Sequence, residues 1–157
     1  MHSKTKIKNI LLEIISLLFI LLFVYAAVSK LLEYEQFKMQ ISQSPILGAY
    51  AGLLAWGVPG VEILVSFLLV FPRTRLWGLY ASTGLMSLFT LYIGAILYFS
   101  ENIPCSCGGV LDPLGWEEHL LFNIIFLLLA LSGILLTHMR MDRNELIYKS
   151  KKKFIAQ

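Results

Sequence analysis

The sequence predicts an all-α integral membrane protein, a four-helix bundle with a short amphipathic interfacial helix after the first span. Three observations carry that reading. The 157 residues are 57% hydrophobic and only 15% charged, with a mean hydropathy of +0.73. That is more apolar surface than a soluble domain of this size can hide from water. Four apolar runs are each long enough to cross a hydrocarbon core of about 30 Å, which takes about 20 residues. The charges gather at the ends and junctions of those runs, where a soluble protein would spread them over its whole surface. The chain therefore reads as a single membrane domain over residues 1–157, with the lipid bilayer as its first partner. Nothing in it resembles a phosphate loop, a hydrolase nucleophile turn or a nucleic-acid module, and no nucleic acid is expected to bind.

The spans fall at about 10–28, 50–71, 76–99 and 120–137, followed by a basic tail over 138–157. Each must be helical, because a lone segment in lipid has to satisfy its own backbone hydrogen bonds. The first run is long for the apolar core of a signal peptide, and Ala26-Ala27-Val28-Ser29-Lys30 makes a mediocre cleavage site, so it is read as a retained span. Orientation follows from Lys and Arg, which are held on the cytoplasmic side. Lys4, Lys6 and Lys8 precede the first span, Arg73 and Arg75 sit between the second and third, and Arg140, Arg143, Lys149, Lys151, Lys152 and Lys153 follow the fourth. Eleven of the 13 basic residues thus lie on one side, leaving Lys30 and Lys38 on the other. The expected placement is a multi-pass protein of a bacterial inner membrane, both termini cytoplasmic and both larger loops periplasmic.

In the first external loop, Leu31, Tyr34, Phe37 (or Lys38) and Ile41 recur at helical spacing, which predicts a short surface helix capping the bundle. Ser44-Pro45 should end it, since the residue before proline avoids the helical region. The second span opens with Gly48, Ala49, Ala51, Gly52, Ala55, Gly57 and Gly60, a run of small residues expected to be buried against neighbouring helices. Pro59 should kink this span. Glu62 follows half-way along it, where a carboxylate costs about 2.5–3.5 kcal/mol on insertion scales, so it should face the bundle interior. A proton relay, a substrate-facing acid and a purely structural interhelical hydrogen bond all fit it. Glu13 lies near the lysine-rich end and can reach toward water. In the third span Thr83, Ser87, Thr90 and Gly94 share one helix face, expected to pack against other helices, and Tyr92, Tyr98 and Phe99 suit an interfacial aromatic belt.

Chemistry concentrates in the second external loop. Both cysteines of the chain stand in Pro104-Cys105-Ser106-Cys107-Gly108-Gly109, and the loop carries Glu101, Asp112, Glu117 and Glu118 but no Lys or Arg. Two neighbouring thiols facing an oxidising compartment are expected to exist at least partly as a disulfide. Two extended peptide units span at most about 6.6–7.2 Å, whereas a disulfide brings its Cα atoms to about 4.4–6.8 Å. Cys105 and Cys107 can bond only if the backbone bends at Ser106, and Gly108 and Gly109 supply the freedom for such a bend. A ring so small is strained and therefore labile, the property of catalytic and regulatory disulfides, and it is too short to be a useful staple. His119 opens the fourth span, with Trp116 one helical turn before it and Asn123 one turn after, all on one face. A histidine near a thiol favours the thiolate, the attacking species in exchange; the plain alternative is a wet interfacial ring. Glu117 and Glu118 would oppose a thiolate close by, and can instead cap the helix. Metal capture is the rival chemistry, but Cys105, Cys107 and His119 make three ligands with no evident fourth, so no metal site is assigned.

Four spans, the Ser29-Lys30 exit from the first helix, Pro59-x-x-Glu62 in the second and Cys105-x-Cys107-Gly108 before the fourth resemble the MauE branch of the DoxX-like membrane proteins, over about residues 10–137. That resemblance implies a membrane component of periplasmic disulfide formation or transfer, in a family tied to maturation of a disulfide-rich methylamine dehydrogenase subunit alongside a thioredoxin-like partner. It implies Cys105 and Cys107 as the redox pair, with Glu62 and Lys30 as family positions of unassigned role; from the residues themselves, His119 joins the catalytic candidates, and Glu62 and Lys30 are candidates for a proton relay or cavity. Gly108, Gly109, Trp116 and Asn123 are the supporting residues.

The expected function is thiol–disulfide exchange or maturation of exported cysteine-containing proteins, which would make the protein a thiol–disulfide oxidoreductase. No cofactor follows from the residues themselves. Electrons would pass either to a quinone or to a partner thiol protein such as an exported thioredoxin-like one. The competing readings are a small membrane transporter with Glu62 in an intramembrane cavity, and an assembly factor without turnover.

Overall fold

An apolar run in lipid has no water to bond its backbone, and each of the four runs closes its hydrogen bonds within one helix. The computed structural model describes residues 2–44, 47–99 and 115–155, and every element in them is helical. In chain order these are α1 (His2–Leu32), α2 (Tyr34–Ser42), a single 3-10 turn (Gly48–Tyr50), α3 (Ala51–Val70), α4 (Arg75–Phe99) and α5 (Trp116–Ile155). Among the described residues, four stretches are long and apolar enough to cross a membrane: Lys6–Leu32, Gly48–Val70, Arg75–Ala95 and Glu117–Asp142. They coincide with the four expected spans. The last helix departs from expectation by running without a break to Ile155, so the basic tail continues the helix. No Gly or Pro follows Gly133 to stop it.

Neighbouring helices alternate in direction. Gly133 of α5 lies against Ile15 of α1 and Leu79 of α4, Lys8 reaches Met139 at 3.5 Å, and Tyr80 bonds His138 at 2.8 Å. The start of α1, the α3–α4 turn and the C-terminal half of α5 therefore share one end, the basic end. The α3–α4 turn is tight. Thr74 Oγ1 donates to the Leu68 carbonyl at 2.8 Å, and a Cβ on Gly78 would stand 2.8 Å from the Leu69 side chain and 3.0 Å from its backbone nitrogen. Glycine is what lets the two helices come that close.

Lipid is as apolar as leucine, so shape and dispersion, more than water exclusion, hold such a bundle together. The core is Leu12, Ile15, Phe19 and Phe23 from α1, Val65 and Leu69 from α3, Leu79 and Met86 from α4, and Ala130 from α5. Phe19 meets Phe126 edge-on at 5.4 Å, a favoured aromatic geometry. A second cluster forms where α2 folds back: Phe37 and Ile41 pack on Ala51 and Ala55 at the start of α3. This is the capping helix that the spacing of Tyr34, Phe37 and Ile41 anticipates. Past Ser42 the chain turns at Ser44, whose Oγ accepts from the Leu47 amide at 3.3 Å; Pro45 lies outside the described residues.

One expectation needs correction and one is narrowed. Of the small residues at the start of the second span, Ala51 and Ala55 are buried, but a Cβ on Gly52, Gly57 or Gly60 would meet nothing within 4 Å. These glycines lie on the outer face of α3, because the i, i+3, i+4 positions that face inward are Ala55, Pro59, Glu62, Val65, Ser66 and Leu69. In α4 the fully buried face is Leu79, Ser82, Met86 and Ile93, while Thr83, Ser87 and Thr90 flank it half-buried. Each of their hydroxyls donates to a carbonyl four residues back in its own helix, at 2.7 to 2.9 Å, and none links two helices. Gly94 likewise faces open space.

Candidate functional site

The one ion pair among the described residues joins α1 to α3. Lys30 sits in the last turn of α1, where a cation offsets the exposed carbonyls. Its Nζ donates to Glu62 Oε1 at 2.8 Å and, at 3.4 Å, to the Ala26 carbonyl one turn back. Glu62 is brought inward by the periodicity of α3, one turn after the buried Pro59. Its side chain is 1% exposed and that of Lys30 is 15% exposed. The pair is therefore reached past the lysine. Ser66, the next buried polar residue along α3, spends its hydroxyl on the Glu62 backbone carbonyl at 2.9 Å.

Partnering with Lys30 offsets part of the penalty for burying a carboxylate at this depth. One oxygen is left over. Glu62 Oε2 is buried and has no hydrogen-bond partner among the described residues. Aromatic rings from two further helices wall the lysine, with Nζ 5.8 Å from the centroid of Phe37 on α2 and 6.0 Å from that of Phe89 on α4. Both are at the outer range of a cation–π contact. The fifth helix contributes His119, half-buried at its first turn and within electrostatic reach of Lys30. Asn123 is 3% exposed and donates from Nδ2 to the His119 carbonyl at 2.9 Å. Side chains of α2, α3 and α4 thus surround the ammonium group that α1 supplies, with His119 of α5 within electrostatic reach.

Of the residues singled out from sequence, Lys30 and Glu62 pair here and His119 lies within electrostatic reach of Lys30, while Asn123 is buried one turn along α5 from His119. Trp116 opens α5, one turn before His119; its side chain, and the whole of Cys105, Cys107, Gly108 and Gly109, lie outside the described residues. The first turn of α5 is capped by Glu118, whose Oε2 accepts from the Gly115 amide at 2.8 Å. That is the capping alternative raised for the Glu117-Glu118 pair. Sequence reasoning had no route to the rings. Phe37 stands out as an apolar position of α2, but nothing in the pattern of Phe89 says that it faces a lysine 59 positions earlier in the chain.

Chemically, such a cluster can hold a proton within a short N–H···O bond, present a buried acceptor at Oε2, and keep a compensated positive charge near the end of the bundle. The fold and this cluster define a multi-pass helical membrane protein with a buried, net-neutral ion pair at the meeting point of its helices. Residues 8–136 match the family described as Methylamine utilisation protein MauE, and the chain belongs to that family. Among curated proteins and solved structures, none matches the chain.

Proposed function

We propose that this MauE-family protein takes part in thiol–disulfide exchange with exported cysteine-containing proteins, with Cys105 and Cys107 as the reacting pair. One observation carries the reading. The chain leaves α4 at Phe99 and re-enters α5 at Trp116, and the first turn of α5 is where His119 comes within reach of the Lys30–Glu62 cluster. The helix ends that flank the cysteine segment thus lie opposite the basic end, on the side of the bundle where α5 begins. In the oxidising direction, a client thiolate attacks one sulfur of the Cys105–Cys107 disulfide and releases the other as a thiolate. A second client thiolate then resolves the mixed disulfide. The client leaves as a disulfide, and its two electrons and two protons stay on Cys105 and Cys107 as thiols. Run in reverse, the same two exchanges reduce a client disulfide. A quinone, reduced to quinol, or the disulfide of a thioredoxin-like exported protein takes up the two electrons and two protons and resets the pair.

His119 supplies the polar, titratable neighbour that favours the thiolate form. The distribution of Lys and Arg supports a bacterial inner-membrane location with the basic end in the cytoplasm and the cysteine loop in the periplasm. The test is thiol trapping in intact cells. Cys105 and Cys107 are expected to be oxidised at steady state, and a Cys105→Ser or Cys107→Ser variant to accumulate a mixed disulfide with an exported protein. Two permanently reduced cysteines whose replacement is silent, together with loss of function in Glu62→Gln, would refute exchange and favour a transporter built on the ion pair.

A further inference from the structure

The surroundings of Glu62 differ sharply in its two directions along the bundle. Toward the end where α5 begins lie Lys30, half-buried His119 and the exposed carboxylates of Glu117 and Glu118, beside the small apolar cluster of Phe37, Ile41, Ala51 and Ala55. Toward the basic end the interior is Phe23, Phe19, Ile15 and Leu12 on α1, Val65 and Leu69 on α3, Met86 and Leu79 on α4 and Ala130 on α5, none more than 3% exposed. Three fully buried hydroxyls occur in that stretch, and each is committed to a carbonyl of its own helix: Ser16 to Leu12, Ser66 to Glu62 and Ser82 to Gly78, at 2.8, 2.9 and 2.8 Å; the half-buried Thr83, Ser87 and Ser132 likewise donate within their own helices. From Ala27 to Leu12 this amounts to about 20 Å of helix with no side-chain chain of donors and acceptors along it.

We propose that the Lys30–Glu62 pair is a one-sided proton-exchange site. Water entering past Lys30 donates a hydrogen bond to Glu62 Oε2, the acceptor that the described residues leave unsatisfied, and the apolar plug below closes the route to the basic end. A buried carboxylate oxygen without a donor is expensive, about 1–3 kcal/mol or more when charged, and a polar pocket beside a partly exposed ammonium is the setting in which an internal water is retained. Among the described residues, Lys30 on α1 touches Glu62, His119 on α5 lies within electrostatic reach of Lys30, and α2 and α4 present the rings of Phe37 and Phe89. A proton taken up or released at Glu62 therefore passes by Lys30 and His119 to one face of the membrane, and the protein does not conduct protons across it. This inference is independent of the cysteines.

The test is side-specific modification of the full-length protein in sealed vesicles. A membrane-impermeant, water-soluble carbodiimide with glycine ethyl ester converts an accessible carboxyl into an amide and releases the urea, and peptide mass spectrometry reads the product at Glu62. Labelling is expected only in vesicles that expose the end bearing Gly115 and His119, and Glu62→Gln should abolish it. Labelling from the basic face, from both faces equally or from neither would overturn the proposal. The Cys105→Ser/Cys107→Ser double variant should keep the same sidedness, so failure of thiol trapping and failure of this test are separate results. Vesicles carrying a trapped pH dye provide a second arm: wild type and Glu62→Gln should leak protons at the same rate as protein-free vesicles, and a leak in wild type that Glu62→Gln removes would sink the one-sided plug.

Discussion

The two members of the ion pair should not be equivalent when removed, and the asymmetry can be worked out from their burial. Lys30→Met leaves a carboxylate whose side chain is 1% exposed without the one side-chain partner it has among the described residues, the situation in which breaking a buried pair costs about 3–5 kcal/mol. Glu62→Gln leaves an ammonium whose side chain is 15% exposed, on a flexible stem in the last turn of α1. It can turn toward water, so the loss should be nearer that of one charge-assisted hydrogen bond, about 1.5–3 kcal/mol. With both substitutions together no charge is buried, and the double variant should be more stable than Lys30→Met alone. The assay is a double-mutant cycle in mixed micelles, with unfolding by a denaturing detergent followed by helical circular dichroism. Additive losses, with the double variant as unstable as the sum of the singles, would show that the 2.8 Å contact is not energetically coupled. Equal single losses would show that the exposure difference is irrelevant.

Other substitutions separate packing from exposure. Gly78→Ala should destabilise the bundle by about 1–3 kcal/mol through overpacking, since its Cβ would strike the Leu69 side chain at 2.8 Å; Gly60→Ala, open on the outer face of α3, should be neutral or slightly stabilising, and a thermal melt of the two side by side decides it. Glu118→Ala removes the cap on the Gly115 amide and should cost about 0.5–2 kcal/mol, visible as faster amide exchange confined to the first turn of α5. Phe37→Ala should release α2 from Ala51 and Ala55, raising proteolysis between residues 33 and 44 while leaving the four long helices protected; a global loss of helix would contradict the view of α2 as a docked cap.

The four spans were legible because an apolar run of bilayer length has a single structural solution. The α2 cap was legible from Tyr34, Phe37 and Ile41, and Glu62 announced itself as a carboxylate that had to turn inward. Lys30 stood beside it only through the family resemblance; that the two pair was not legible, because Lys30 is 32 residues away on another helix and reads locally as an ordinary end-of-helix cation. Gly52, Gly57 and Gly60 misled for a related reason: small residues permit close approach but do not say which face of a helix is approached. The hydroxyls of Thr83, Ser87 and Thr90 could equally have bridged helices, and only the i−4 carbonyls in their own helix show that they do not. The end of α5 was obscured by charge, which marks where a helix leaves lipid and says nothing of where it stops. The cysteine segment lies outside the described residues, and its bend still rests on the spacing of Cys105 and Cys107.

The length of α5 has a mechanical consequence. Its 40 residues make a rod of about 60 Å, of which the part beyond Asp142 projects about 20 Å past the apolar stretch. Whatever grips that lysine-rich handle can twist or tilt the same rod that carries His119 at its opposite tip, so a docking event on one face of the bilayer has a stiff shaft through which to be felt on the other.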